Sequence, residues 1–188
     1  KSQKEFNINN LKSNIVTIRI GQGHGSGFFV GNNGYLLTNA HVVGDSKSVQ
    51  IITSSGMEIK GQVIRKSKSR DVALIKVPLK ITNSLYLKFE IPDIASDVYA
   101  AGTPINEALK TTVTKGIISN IRVDNASGLK FIQADASISP GNSGGPLFDK
   151  FGNVIGISVA KYNANSAEGL GLFIPLKDAF SSIKLSIE

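Results

Sequence analysis

The heptapeptide Gly141-Asn142-Ser143-Gly144-Gly145-Pro146-Leu147 is the part of this sequence best suited to covalent chemistry. A serine hydroxyl attacks a carbonyl only where the backbone can come close to the substrate, and flanking glycines remove the Cβ atoms that would obstruct that approach. Main-chain N–H groups beside the serine can stabilise the oxyanion of a tetrahedral intermediate. Taken alone, the motif is also an ordinary Gly-Asn-Ser-Gly turn. It implies acyl transfer only together with a general base and a group that orients the base.

The chain has two histidines, His24 and His41, and both precede Ser143. Gly141-x-Ser143-x-Gly145 fits the strand-to-helix elbow that holds the nucleophile of α/β-hydrolases, but in that arrangement the histidine follows the serine. Pro146 and the β-type run after it contradict the elbow as well. His41 lies at the edge of the apolar run Leu36-Leu37-Thr38-Asn39-Ala40-His41-Val42-Val43. A strand end can hold an imidazole rigidly within reach of solvent, and an unperturbed pKa of about 6.5 lets it take and return a proton near neutrality. Asp71 leads Val72-Ala73-Leu74-Ile75-Lys76-Val77, where a turn enters an apolar strand and can partly bury a carboxylate. Such a group would fix the tautomer of His41 and stabilise its imidazolium. Asp93, Asp97, Asp124 and Asp149 lie in polar, turn-like surroundings and read as solvated charges, and Asp45 is too close to His41 in sequence to be preferred. For Asp71 alone, a strand-entry turn residue is an equally good account.

The elements that must carry these groups are short β-type runs bounded by turn residues: 15–20, 27–30, 35–38, 49–53, 59–65 and 72–77. Their spacing is that of a barrel or sandwich. Asn32-Asn33-Gly34 and the stretch from Asp149 to Asn153 have the composition of hairpin turns. The pattern weakens between Pro78 and Ser96, then a second set begins, at 98–101, 111–120, 131–134, 154–160 and 170–174. This places a boundary near residue 90, with one unit over 1–90 and another over 91–188. Only 175–183 reads as helical, opened by Pro175, with Leu176, Ala179, Phe180 and Ile183 at helical spacing.

Composition removes other chemistries. The 188 residues are 41% apolar, enough for a substantial core, and contain no cysteine, so disulfides, thiolate metal sites and thiol nucleophiles are excluded. Two histidines alone make a poor metal site. The net charge of +7 comes from dispersed lysines without an aromatic platform, which reads as a solvated basic surface and not a nucleic-acid site. No stretch approaches the roughly 18 apolar residues of a membrane span, and the start at Lys1 is read as that of a mature or excised soluble domain.

Together these segments resemble trypsin-like serine proteases, most closely their bacterial HtrA/Deg branch. Thr38-Asn39-Ala40-His41-Val42-Val43, Asp71-Val72-Ala73-Leu74, Gly141 to Leu147, and Gly169-Leu170-Gly171-Leu172-Phe173-Ile174-Pro175 match that branch in order and rough spacing, over roughly residues 14 to 176. The resemblance implies an all-β fold of two packed six-stranded antiparallel β-barrels, with a short C-terminal helix and the site between the barrels. It also implies peptide-bond hydrolysis through an acyl-enzyme: His41, Asp71 and Ser143 as triad, the Gly141 and Ser143 N–H groups as oxyanion hole, and no cofactor. The substrate pocket would be built from Ser137, Ile138 and the strand Ser158, Val159, Ala160 and Lys161. With Ser137 at its base and no acid, it would favour small or medium aliphatic side chains. The implied substrate is polypeptide, unfolded or damaged, met outside the cytoplasm, and a homo-oligomer is compatible with the branch. Members usually carry PDZ domains after the protease, whereas thirteen residues follow Pro175. Asn142 stands where digestive relatives hold an aspartate that pairs with a newly cut N-terminus, so cleavage activation is not expected. His24, before the first-barrel hairpin, receives no role from the resemblance and is read as a surface or structural histidine, with a place near the cleft as the alternative. Two other functions use the same residues: a catalytically silent peptide-binding or chaperone module, and an esterase.

Overall fold

Leu36 and Leu37 are consecutive and apolar, as are Ala73, Leu74 and Ile75. Strands containing such runs must be covered on both faces. The computed structural model, which describes residues 6–103, 111–159 and 170–186, supplies the two covers. In the first barrel, β1 (Ile15–Ile20), β2 (Gly23–Val30), β3 (Tyr35–Thr38), β4 (Ser48–Ile52), β5 (Glu58–Ser67) and β6 (Val72–Lys76) close in the order β1-β2-β3-β6-β5-β4. In the second, β7 (Asp97–Gly102), β8 (Thr112–Val123), β9 (Lys130–Ala134), β10 (Pro146–Asp149), β11 (Val154–Ser158) and β12 (Gly171–Pro175) close as β10-β11-β12-β9-β8-β7. Every ladder within the barrels is antiparallel.

Side chains alternate between the faces of a strand, and the alternation divides the core. Val16, Ile18, Leu36, Ile51, Ala73 and Ile75 fill the first barrel. Val98, Ala100, Ile118, Ile132, Leu147 and Phe173 fill the second. The opposite faces of the same strands, Ile15, Leu37, Val72 and Leu74 among them, join Phe131, Phe148, Ile157 and Ile174 in a third cluster drawn from both barrels. Burying one such side chain is worth about 1.5–3 kcal/mol, so this shared layer holds the barrels in a fixed relation. The helix α3 (Leu176–Ser182) closes it with Leu176, Ala179 and Phe180. Arg70, with its side chain only 4% exposed, adds a polar tie: it lies over the Phe131 ring at 4.7 Å, donates to Lys130 O, and reaches Asp178 Oδ2 at 3.3 Å.

Local differences from the sequence reading lie near the cleft. β2 begins at Gly23, four residues before the apolar run, because Gly23 to Ser26 continue the ladder on β1 from Ile20↔Gly23 to Thr17↔Ser26. His41, expected at a strand end, stands on a helical turn. β3 stops at Thr38, and Ala40–Val43 forms a single helical turn, labelled α2 in the order that begins with the N-terminal helix α1 (Ile8–Ser13). The turns expected at 32–34 and 149–153 join β2 to β3 and β10 to β11, and Asp149 Oδ1 holds the second by accepting from the Phe151 and Asn153 N–H groups at 2.9 and 3.0 Å.

Candidate active site

The α2 turn exists because of what lies beneath it. Its four residues are too few to be stable alone, and Asn39 at its N-cap gives it no side-chain hydrogen bond. Asp71 supplies the missing acceptor: its Oδ1 takes the His41 backbone N–H at 2.8 Å. The second oxygen, Oδ2, lies 2.7 Å from His41 Nδ1. Asp71 itself has φ +65°, in the left-handed region that aspartate tolerates better than most residues. The Asn39 side-chain amide donates to its carbonyl at 3.1 Å. Backbone and carboxylate of Asp71 are therefore both tied to the segment that presents His41.

This contact sets the chemistry of the imidazole. A carboxylate only accepts hydrogen bonds, so Nδ1 carries the proton and Nε2 of the neutral ring is left as the basic nitrogen. The His41 side chain is 32% exposed and that of Asp71 7%. The base is reachable and the acid is sheltered.

Ser143 comes from the other barrel. Asn142 N–H donates to Ser139 O at 3.0 Å, closing a turn with Pro140 second and Gly141 third. Gly141 has φ +96°, and proline followed by a positive-φ glycine defines a type II turn. Next to the serine, Gly144 (φ +86°) sits where a Cβ would fall 2.2 Å from Thr38 Oγ1 and 2.3 Å from Ser26 O, so only glycine lets the loop lie this close to the first barrel. The loop is held by Gly145 N–H to Asn142 O (2.9 Å), Gly144 N–H to Ser158 O (3.1 Å), Ser158 N–H to Gly145 O (2.8 Å) and Ser26 N–H to Ser143 O (2.8 Å). Among the described residues, the Gly141 and Ser143 N–H groups donate to no protein acceptor. They are two backbone donors of this loop left open to a ligand.

Ser143 and His41 line one cavity of about 440 Å³, with Val42, Val43, Asp45 and His24 in its wall. They make no hydrogen bond to each other, and such contacts commonly tighten only when substrate binds. Among the residues expected to form the substrate pocket, Ser158 and Val159 are buried, and Ser158 is bonded to the nucleophile turn. Ser137 is exposed, and Ile138 lies over Gly171, where a Cβ would come within 2.7 Å of its Cδ1. Ala160 and Lys161 lie outside the described residues.

Three residues at or behind the site received no role from the sequence. His24 faces the same cavity as Ser143, with Nε2 buried and unpartnered. Ser26 and Thr103 form a buried hydroxyl pair behind the serine loop. The available signal was polar residues inside runs of short strands, which glycine-rich composition disguised. Among the described residues no cluster of ligating side chains could hold a metal ion, and no helix is long and apolar enough to cross a membrane.

A family model described as a trypsin-like peptidase domain matches residues 25–157. The chain is 35% identical over 175 residues to "Probable periplasmic serine endoprotease DegP-like" of Bartonella henselae, covering 87% of this chain and 33% of that protein. It is 34% identical over 173 residues to "Magnetosome formation protease MamE" of Magnetospirillum gryphiswaldense, covering 87% of this chain and 22% of that one. The solved structure titled "HtrA-type protease AlgW with tripeptide" superposes with a TM-score of 0.80 at 31% identity, over 93% of this chain and 60% of the other. The chain thus spans a third or less of the length of these two curated relatives.

Proposed function

The chain belongs to the trypsin-like peptidase family, in its HtrA/DegP branch, and from that premise we propose that it is a serine endopeptidase whose triad is Ser143, His41 and Asp71. Ser143 Oγ attacks the scissile carbonyl while His41 Nε2 takes its proton. The new C–O bond converts the carbonyl into an oxyanion that the Gly141 and Ser143 N–H groups receive. His41 then returns the proton to the departing amine as the C–N bond breaks, leaving an acyl-enzyme, and water repeats the sequence to release the acid. Asp71 keeps Nδ1 protonated throughout and stabilises the imidazolium formed at each step.

The observation that carries this reading is the double contact of Asp71 with His41, at 2.7 Å to the ring and 2.8 Å to the backbone, opposite a serine loop with two uncommitted N–H donors. A carboxylate used only to cap the α2 turn would not need to bond the imidazole as well. We assign the pocket for the residue preceding the cut bond to Ser137, Ile138, Ser158 and Val159. The Ile138 side chain over Gly171 narrows it toward small and medium aliphatic groups. The two units, 1–90 and 91–188, act as one protease because each holds part of the site. The relatives named periplasmic endoproteases support polypeptide substrates and an extracytoplasmic setting for this chain.

The test is a fluorophosphonate probe followed by intact mass and peptide mapping. One adduct on Ser143, abolished in His41→Ala, is expected. A folded protein that takes up no adduct would instead be a silent peptide-binding module.

A further inference from the structure

Ser26 lies on β2, in the barrel opposite Ser143, and is fully buried. Nothing in the proposed chemistry uses it, yet each of its polar groups is committed. Its Oγ lies 2.7 Å from Gly141 O, an acceptor only, so the single hydroxyl proton of Ser26 points there. The Thr103 backbone N–H donates to the same oxygen at 2.8 Å. The 3.1 Å contact between the two hydroxyls must then be donated by Thr103, since Ser26 has no second proton. One donor and two lone pairs are all in use, which leaves the side chain no alternative rotation. In the backbone, Ser26 N–H donates to Ser143 O at 2.8 Å, and Ser26 O accepts from Thr38 Oγ1 at 2.7 Å.

These bonds connect both sides of the cleft. Thr38 ends β3, three residues before His41, whereas Gly141 and Ser143 own the two open N–H groups. Ser26 grips the peptide planes 141–142 and 143–144, which flank the plane carrying the Ser143 N–H. Preorganised donors work only if they are in place before charge develops, and loss of registration by about 1 Å can cost on the order of 100-fold. We propose that Ser26 is a positioning residue: its hydroxyl, saturated by Thr103, registers the oxyanion donors of the second barrel against the base of the first. This rests on the endopeptidase reading, and the parent protein's turnover and Ser143 labelling test that reading separately.

The experiment compares the parent protein, Ser26→Cys and the hydroxyl-free Ser26→Ala on one peptide substrate and one peptide boronate. Ser26→Ala is expected to lower kcat by roughly 10–100-fold with KM within about twofold, and to weaken the boronate by a similar factor, because both losses fall on the tetrahedral species. Ser26→Cys, close in size but a weak donor, should fall between. The pH midpoint of the His41-dependent limb and the downfield His41 Nδ1 proton resonance should match the parent, as a general loss of structure would not allow. If Ser26→Ala does not fold, the cysteine variant decides: reduced kcat at unchanged KM supports the proposal, and parent-like kcat overturns it. An alanine variant with parent-like kcat, or one that loses through KM alone, overturns it too.

Discussion

Replacing Asp71 by asparagine keeps the shape of the side chain and removes its charge, and the geometry sets the outcome. The amide offers one acceptor and one donor where the carboxylate offers two acceptors at 2.8 and 2.7 Å. If its oxygen keeps the His41 backbone N–H, its NH2 faces Nδ1, which must then accept. The ring proton moves to Nε2, and the base can no longer take a proton from Ser143. The flipped amide sets NH2 against the backbone N–H, donor against donor. Recovering the working tautomer costs about 1.5–3 kcal/mol for a lost charge-assisted bond. Loss of the sheltered negative charge beside the forming imidazolium removes up to about 4 kcal/mol at an effective dielectric constant near 20. A combined loss of about 5.5 kcal/mol corresponds to roughly 10⁴-fold in kcat.

Stability separates this role from a structural one. Asparagine tolerates the left-handed backbone at φ +65°, so Asp71→Asn should unfold at a denaturant midpoint close to the parent's. Alanine there pays about 1–2 kcal/mol for that backbone and leaves the His41 N–H without its acceptor. Asp71→Ala should therefore lose both stability and turnover. The assays are kcat/KM on a peptide with an aliphatic residue before the cut, and urea melts at constant m. A well-folded Asp71→Asn protein retaining more than a tenth of parental kcat would refute the orienting role, as would activity losses that merely track stability.

Ile138→Ala opens the space over Gly171, so cleavage after phenylalanine should rise relative to valine by about tenfold or more, read as a ratio of kcat/KM values; an unchanged ratio places the pocket elsewhere. Asn142 is 4% exposed with Oδ1 unpartnered, 2.6 Å from where a Gly102 Cβ would stand. Asn142→Asp therefore buries an uncompensated carboxylate with a raised folded pKa. Below the unfolded value of about 4 both states are neutral and stability should equal the parent's; above it stability should fall as pH rises, by roughly 3 kcal/mol or more at neutrality. A flat pH dependence would show that a cation neutralises the new carboxylate. Arg70→Met should cost about 1–3 kcal/mol in urea unfolding, chiefly from the Lys130 carbonyl left without its donor, since the guanidinium joins Phe131, Lys130 and the partly exposed Asp178, and a loss under 1 kcal/mol would mark the tie as incidental.

The strands were legible because their information is local. Apolar runs such as 15–20 and 72–77 carry their own periodicity, and the quiet stretch near residue 90 separated two sets of them, but closure into two six-stranded barrels was expected only from the family resemblance, the second set showing five runs where the barrel has six strands. The sequence reading also named His41 and Asp71 as partners, and the structure joins them through two hydrogen bonds. What was not legible depends on contacts far apart in the chain. The one-turn helix that carries His41 is held by a carboxylate thirty residues away that accepts its N–H, so the sequence, which ended the strand at residue 38, still placed His41 at a strand end and not on a helical turn. Gly23 to Ser26 has no apolar alternation, yet it pairs with β1 because ladder bonds use backbone and ignore side-chain type.

The same reason explains why Ser26 escaped notice while Ser143 did not. Ser143 announces itself through the glycines its loop requires locally, at Gly141 and Gly144. The partners of Ser26 are 77 and 115 residues away, and neither Thr103 nor Gly141 has a composition that points back to it. A nucleophile can be recognised from its neighbours in sequence because the strain around it is local. The groups that register it against a base on another barrel cannot, since their positions are set only when both barrels have closed. On the proposed reading the chemistry is written in short motifs, and its precision rests on buried hydroxyls whose contacts appear only in three dimensions.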